Sequence, residues 1–260
     1  MKNLLIYISK YNKFDLENEI LIKVQIDNSL DLGWNAKDIL LVTNFTYEYR
    51  GVKAIVIEDS TFCRFSRQAS KINAIISLFE LGLIEDKLYW FHDLDVFQME
   101  KFPDIEIGKN NLATTDYGGN DLWNTGVIFF RCGTYYIFNR IKEVVYKYRT
   151  DEERALMALT GNDVELKSAH SIGKLIPAYN DADFKNRIVK LNSTYNFIPR
   201  YLEESYRIAE KPIKCVHFHP IKVKKNQEIS QYDEMINGKN KLGIPIVNER
   251  LKIIFKKHGL

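Results

Sequence analysis

Two carboxylates one residue apart, Asp93 and Asp95, end the apolar run KLYWFHDLDVF over residues 87–97. On an extended chain alternate residues share a face, which would put their Cα atoms roughly 6.5–7 Å apart. Three rings that belong in a core, Tyr89, Trp90 and Phe91, precede them. Paired carboxylates at the rim of a buried strand repel one another and lose hydration unless a cation compensates them. A short acidic pair also occurs in exposed turns, where one Asp caps the chain; the buried strand favours the metal.

A second cluster is Cys215-Val216-His217-Phe218-His219. Alternation again puts His217 and His219 on one face, at the end of an apolar strand followed by Lys222, Lys224 and Lys225. Two carboxylates and an imidazole suit Mn²⁺ or Mg²⁺ better than thiolate-preferring zinc. The lysines would balance phosphate charge. Further cations precede the acidic strand: Arg64, Arg67 and Lys71. Arg67 and Lys71 are four apart and would share one side of a helix, whose N-terminal dipole would add to their pull on a phosphate.

The elements that must position these groups alternate. LLIYIS (4–9) reads as a strand, residues 13–32 as a helix stopped by Gly33, and DILLVTN (38–44) and VKAIVIED (52–59) as strands joined by an Arg50-Gly51 turn. Ser66 to Leu83 has helical periodicity and stops near Gly82. The strand 87–97 follows. This order predicts parallel strands with helices on both faces, and ligands then sit beyond the carboxyl ends of the strands. Later, 111–118 and 123–131 read as strands around a turn at 118–121, then helices over 134–148 and 151–160. Residues 161–186 look irregular and suit a loop over the site. Strands return at 187–191 and 213–219, and a helix ends the chain.

Composition limits the reading further. A chain of 260 residues with 45% hydrophobic and 27% charged residues is an ordinary globular protein of one domain. Cys63, Cys132 and Cys215 are too far apart for a zinc ribbon or a disulfide framework, which favours a reduced, cytoplasmic setting. No run approaches the roughly 18 apolar residues of a membrane span, and the N-terminus reads as a strand, not a signal peptide. The net charge of +3 is uneven: residues 211–260 carry eleven Lys or Arg against four Asp or Glu. Such a tail suits an anionic ligand or is a solvated helical face.

Taken together, YWFHDLDVF, WNTGVIFFR, TDEERALMAL and VHFHP with its lysines resemble the GT-A glycosyltransferases. They are most similar to the retaining, glycogenin-like and galactosyltransferase-like branch, glycosyltransferase family 8. LNSTYNFIP is a weaker fifth match. The resemblance implies an α/β GT-A fold, Rossmann-like, with a mixed, mostly parallel sheet flanked by helices. Residues 1–97 would be the nucleotide-binding half, 98–225 the donor-sugar and acceptor half, and 226–260 a basic helical tail.

By position, the resemblance makes Asp93, Asp95 and His217 the ligands of Mn²⁺ or Mg²⁺, with Asp93 also on the ribose. Lys222 would hold the diphosphate. Asn124, Thr125 and Gly126 would line the acceptor and donor-sugar side, and Asp151 and Glu152 would bind the donor sugar near its reacting carbon. Tyr7, Ser9 and Asp59 would contact base and ribose. Family members usually show Gly and then Lys-Pro-Trp after the His-Phe pair; here His219-Pro220 and a lysine cluster stand instead, and the acidic pair reads Asp-Glu-Glu.

The implied activity is transfer of a sugar from a nucleoside-diphosphate sugar to an acceptor glycan, protein or modified DNA. The same ion would also serve a sugar nucleotidyltransferase or phosphoesterase, and the fold would serve a non-catalytic sugar-nucleotide-binding protein.

Overall fold

Alternation along the first strand sets up the whole molecule. In β1 (Lys2–Tyr7), Leu4 and Ile6 face one hydrophobic cluster while Leu5 and Tyr7 face another, so the strand is buried on both sides. The computed structural model describes residues 1–117, 122–166, 174–198, 202–218 and 236–260. Two features expected from sequence, the turn at 118–121 and the segment with His219 and Lys222, lie outside them.

After β1, α1 (Leu16–Asp31) starts on Asp15, whose carboxylate accepts from the Asn18 N–H, and leads to β2 (Ile39–Thr43). The expected strand over 52–59 is broken. β3 (Glu48–Tyr49) and β4 (Val52–Lys53) form a hairpin about Arg50 and Gly51, and only β5 (Ile55–Val56) joins the main sheet. Both turn residues have positive φ, +49° and +78°, matching the twist of a tight hairpin. α2 (Ser70–Glu80) precedes β6 (Tyr89–His92) and β7 (Val96–Gln98).

The second half contributes β8 (Leu112–Asp116), β9 (Trp123–Phe130), α3 (Tyr135–Tyr148) and α4 (Glu152–Leu159). The described residues within 161–186 hold regular elements that their composition does not suggest. β10 (Val164–Leu166) pairs antiparallel with β11 (Lys174–Ile176), and α5 (Ala182–Asn186) follows. β12 (Ile188–Lys190), α6 (Leu202–Ile208), β13 (Cys215–His217) and α7 (Glu249–Lys257) complete the order.

Seven strands form one sheet in the order β12-β8-β9-β6-β1-β2-β5. β5, β2, β1 and β6 run parallel to one another, β12 is parallel to β8, and β9 is antiparallel to both β6 and β8. Helices α2, α3 and α4 cover the Leu4 face; α1 and α7 cover the Leu5 face. The basic tail is docked, since Lys257, His258 and Arg50 converge on buried Asp27, and Arg250 reaches Asp31 and the Gln98 and Met99 carbonyls. No helix among the described residues is long and apolar enough to cross a membrane.

Candidate active site

The parallel strands end at one edge, and the polar residues gather there. Ser9 follows β1, Asn44 follows β2, Asp59 lies beyond β5 and Asp93 follows β6. Because β9 is antiparallel, its first residues arrive at the same edge, where the Asp93 N–H donates to the Gly126 carbonyl at 2.8 Å.

The acidic pair does not sit on an extended strand. β6 ends at His92, and Leu94 and Asp95 form a turn closed by the Val96 N–H on the Asp93 carbonyl at 3.1 Å. The turn, not strand alternation, brings the two carboxylates to one side. β13 then pairs antiparallel with β7, setting His217 opposite Val96 and bringing a residue more than a hundred positions away to the same turn.

One ligand atom from each of Asp93, Asp95 and His217 lies within 4.8 Å of the others, and His217 Nε2 is 3.3 Å from Asp95 Oδ1. His217 Nδ1 faces Asn196 Oδ1 at 3.1 Å. With Nδ1–H donating there, Nε2 keeps its lone pair for a cation. Asn196 is fixed in turn, its amide donating to Asn124 Oδ1 at 2.7 Å and Thr115 Oγ1 at 2.9 Å. Burial works against protonation of His217, but the charges of Asp95, Asp93 and Glu153 more than offset it and raise its pKa. A hard oxygen and nitrogen donor set with an oriented imidazole fits a six-coordinate divalent ion such as Mn²⁺ or Mg²⁺.

Lys71 takes a different place from the one its spacing suggested. The helix begins at Ser70, so Arg67 lies before it, exposed, 3.7 Å from Asp15 and over the Tyr7 ring. Lys71 is buried, its ammonium 3.0 Å from Asp93 Oδ1, 3.0 Å from Glu152 Oε1 and 3.1 Å from the Thr125 carbonyl. Burial alone would lower its pKa, yet Asp93, Glu152 and Glu153 raise it, so the amine is charged. It is a counter-ion inside the site, with no donor left over for a phosphate.

The acidic helix start is divided between structural and open groups. Asp151 caps α4 through the Arg154 N–H at 2.9 Å and also pairs with the Arg154 guanidinium. Its carboxylate is tied to the helix start, and it lines the same cavity as Glu152 and Glu153. Glu152 and Glu153 occupy the first turn, where the helix dipole favours negative charge. Glu152 Oε1 accepts from Lys71 and from Thr125 Oγ1 at 3.1 Å, while its buried Oε2 has no partner among the described residues. Glu153 accepts from the Tyr117 hydroxyl at 2.7 Å and the Thr125 N–H at 3.0 Å. Burial, with help from the Glu152 charge, pushes its pKa up to about 6 against those hydrogen bonds and Lys71.

A β-bulge aims these contacts. Thr114 pairs with Ile128 but Thr115 pairs with Asn124, which leaves residues 125–127 of β9 without register partners on β8. Thr114 Oγ1 spans the gap to the Asn124 and Val127 carbonyls, both at 2.7 Å. The freed Thr125 turns toward α4. Asn124 is itself buried, its Oδ1 accepting from Gly126 N–H and from Asn196, so it braces the His217 side of the cavity it lines.

These groups line a cavity of about 1210 Å³ that includes Arg64, Lys71, Asp93, Asp95, Glu152 and His217. A second cavity of about 840 Å³ adjoins it, lined by Ser9, Asn44, Asp59, Phe62 and Arg64. Asn44 ties that wall together, accepting from the Ser9 N–H at 2.9 Å and donating to Ser9 O, Asn12 Oδ1 and Asp59 Oδ1. Tyr7 lines neither cavity; it packs on Phe14 and Phe45 and donates to Asp15. Asn44, Tyr117 and Asn196 had no motif to mark them, and only Asn196 lay within a segment already matched, LNSTYNFIP.

No protein-family model matches the sequence, and no curated protein matches it. Similarity appears in three dimensions. The galactosyltransferase LgtC, crystallised with donor and acceptor sugar analogues, aligns over 98% of this chain and 100% of its own, with a TM-score of 0.52 and 15% identity. The glycosyltransferase GlyE of Streptococcus pneumoniae TIGR4 aligns over 100% of this chain and 61% of its own, with a TM-score of 0.54 and 11% identity. The chain has the GT-A fold.

Proposed function

We propose that this protein is a divalent-cation-dependent glycosyltransferase that moves a sugar from a nucleoside-diphosphate sugar, a UDP-sugar in the first instance, to an acceptor hydroxyl. The observation that carries the reading is the convergence of Asp93, Asp95 and His217 on one cavity with Glu152 and Glu153. Bound there, Mn²⁺ or Mg²⁺ would neutralise the charge that develops on a departing diphosphate.

The chain's own groups do the rest. The adjoining Ser9–Asn44–Asp59 wall takes the base and ribose. Asp93 reaches the ribose as well as the cation, and Lys222 takes the diphosphate. Glu152, in the wall of the same cavity, holds the donor sugar. Glu153 stands at the reacting carbon, where a carboxylate stabilises the oxocarbenium-like centre electrostatically. Burial makes that charge count for more than it would in water.

A donor-hydrolysis screen across nucleotide sugars with Mn²⁺ tests this. Release of nucleoside diphosphate, abolished by EDTA and by Asp95→Ala, is the expected result. Release of pyrophosphate or monophosphate would assign the site to nucleotidyl or phosphoester chemistry instead. Full turnover in excess EDTA would remove the cation from the reaction.

A further inference from the structure

The β8–β9 ladder ends where Asp116 pairs with Trp123, and the next residue, Tyr117, still donates its N–H to the Leu122 carbonyl at 3.1 Å. Those bonds fix the Tyr117 backbone beside the larger cavity, which Tyr117 lines together with Glu153. Its hydroxyl crosses to α4 and donates to Glu153 Oε2 at 2.7 Å, while the Thr125 N–H of β9 donates to Oε1 at 3.0 Å. Each carboxylate oxygen thus has its own donor, and the group cannot turn without losing one of them. Burial and the Glu153 charge raise the phenol pKa, so the hydroxyl keeps its proton and stays a donor through the neutral range.

The charged groups around Glu153 are Lys71 from α2, His217 from β13 and Glu152 beside it on α4. Lys71 is already shared by Asp93, Glu152 and the Thr125 carbonyl, and the Glu152 charge repels. Among the described residues Tyr117 is the one side chain that donates a hydrogen bond to Glu153. A hydrogen bond to the charged form favours it against desolvation and also fixes its direction. We propose that Tyr117 is a positioning residue, whose hydroxyl holds the Glu153 carboxylate in one orientation at the reacting carbon. This rests on the glycosyl-transfer reading above and adds the residue that aims its carboxylate.

Tyr117→Phe keeps the ring and removes only the donor. Carbon NMR of the glutamate carboxyls, with Glu153 assigned by its loss in Glu153→Gln, reads the hydrogen bond without any turnover. The Glu153 midpoint is expected near 6 in the parent and about one unit higher in the variant, the order of a lost hydrogen bond to a charged group. Release of nucleoside diphosphate with Mn²⁺, from the nucleotide sugar that the parent hydrolyses fastest, reads the orientation. There kcat should fall about tenfold and stay low above about pH 8, where Glu153 is ionised in both proteins, with KM within about twofold. An unmoved NMR midpoint, or a kcat that recovers fully at high pH, overturns the role of Tyr117. A parent protein that releases nucleoside diphosphate from no nucleotide sugar is a different result: it overturns the donor reading, and this inference with it.

Discussion

Gly126 and His217 touch so closely that no methyl group fits between them. A Cβ on residue 126 would lie 2.7 Å from His217 Cε1 and 2.8 Å from Asn124 Oδ1. The imidazole therefore owes its position to a missing side chain on the bulged strand as much as to its own strand. Gly126→Ala must push His217 off the Asp93–Asp95 turn. The expected result is a loss of Mn²⁺ affinity of about 10–100-fold, the range seen when groups that orient a ligand are removed. Titration calorimetry with Mn²⁺ measures it, and an unchanged affinity would remove His217 from the ligand set.

Lys71 stands buried between Glu152, which is buried, and Asp93, which is partly exposed. Lys71→Met keeps the volume and leaves two carboxylates without their counter-ion. Breaking a buried pair in this way costs roughly 3–5 kcal/mol. Thermal unfolding should show that loss in EDTA and a smaller one in Mn²⁺, because a cation at Asp93 replaces part of the missing charge. A loss of the same size with and without Mn²⁺ would mean that Asp93 does not bind the ion.

Glu153 has a folded pKa of about 6, above its ordinary 4.5. A raised pKa means that the folded chain prefers the neutral acid. The associated stability is present in full below about pH 4.5 and is lost as pH rises through 6. Glu153→Gln should therefore match the parent at pH 4 and exceed it by about 2 kcal/mol at pH 8, from a shift worth roughly 1.4 kcal/mol per unit. Donor turnover should rise with pH through about 6 in the parent, as the carboxylate ionises, and be low and pH-independent there in the variant. Denaturant melts and rate profiles across that window check both.

Asp27 anchors the end of the chain, with a pKa lowered to about 2. Burial opposes that shift, and hydrogen bonds from Lys257, Arg50 and His258 overcome it. Its stabilisation is present above the ordinary 3.8 and is lost as pH falls toward 2. Because the partner amines are partly solvated, Asp27→Asn should cost on the order of 1–2 kcal/mol at pH 7, and the gap should close as pH falls through that window. Earlier proteolytic release of the C-terminal helix at neutral pH is the second readout.

Much of this architecture was legible in residue types. The alternation of apolar runs with helical periodicity predicted parallel strands with helices on both faces, since each element must bury its apolar side. Asp93, Asp95 and His217 stood out because buried strands seldom end in groups that cost so much to desolvate. Tertiary structure alone decided how those groups work. A turn, not an extended strand, joins the carboxylates, because the Asp93 carbonyl is bonded to Val96. The bulge in β9 turns Thr125 toward Glu152 and Glu153, and the cap at the start of α4 ties Asp151 to the Arg154 N–H. Asn196, Lys71 and Gly126 owe their roles to contacts across strands and helices far apart in the chain. Local periodicity reports which residues must be buried. It carries no information about which buried residue meets which, because that depends on strand register and helix packing, and these form only when the whole sheet does.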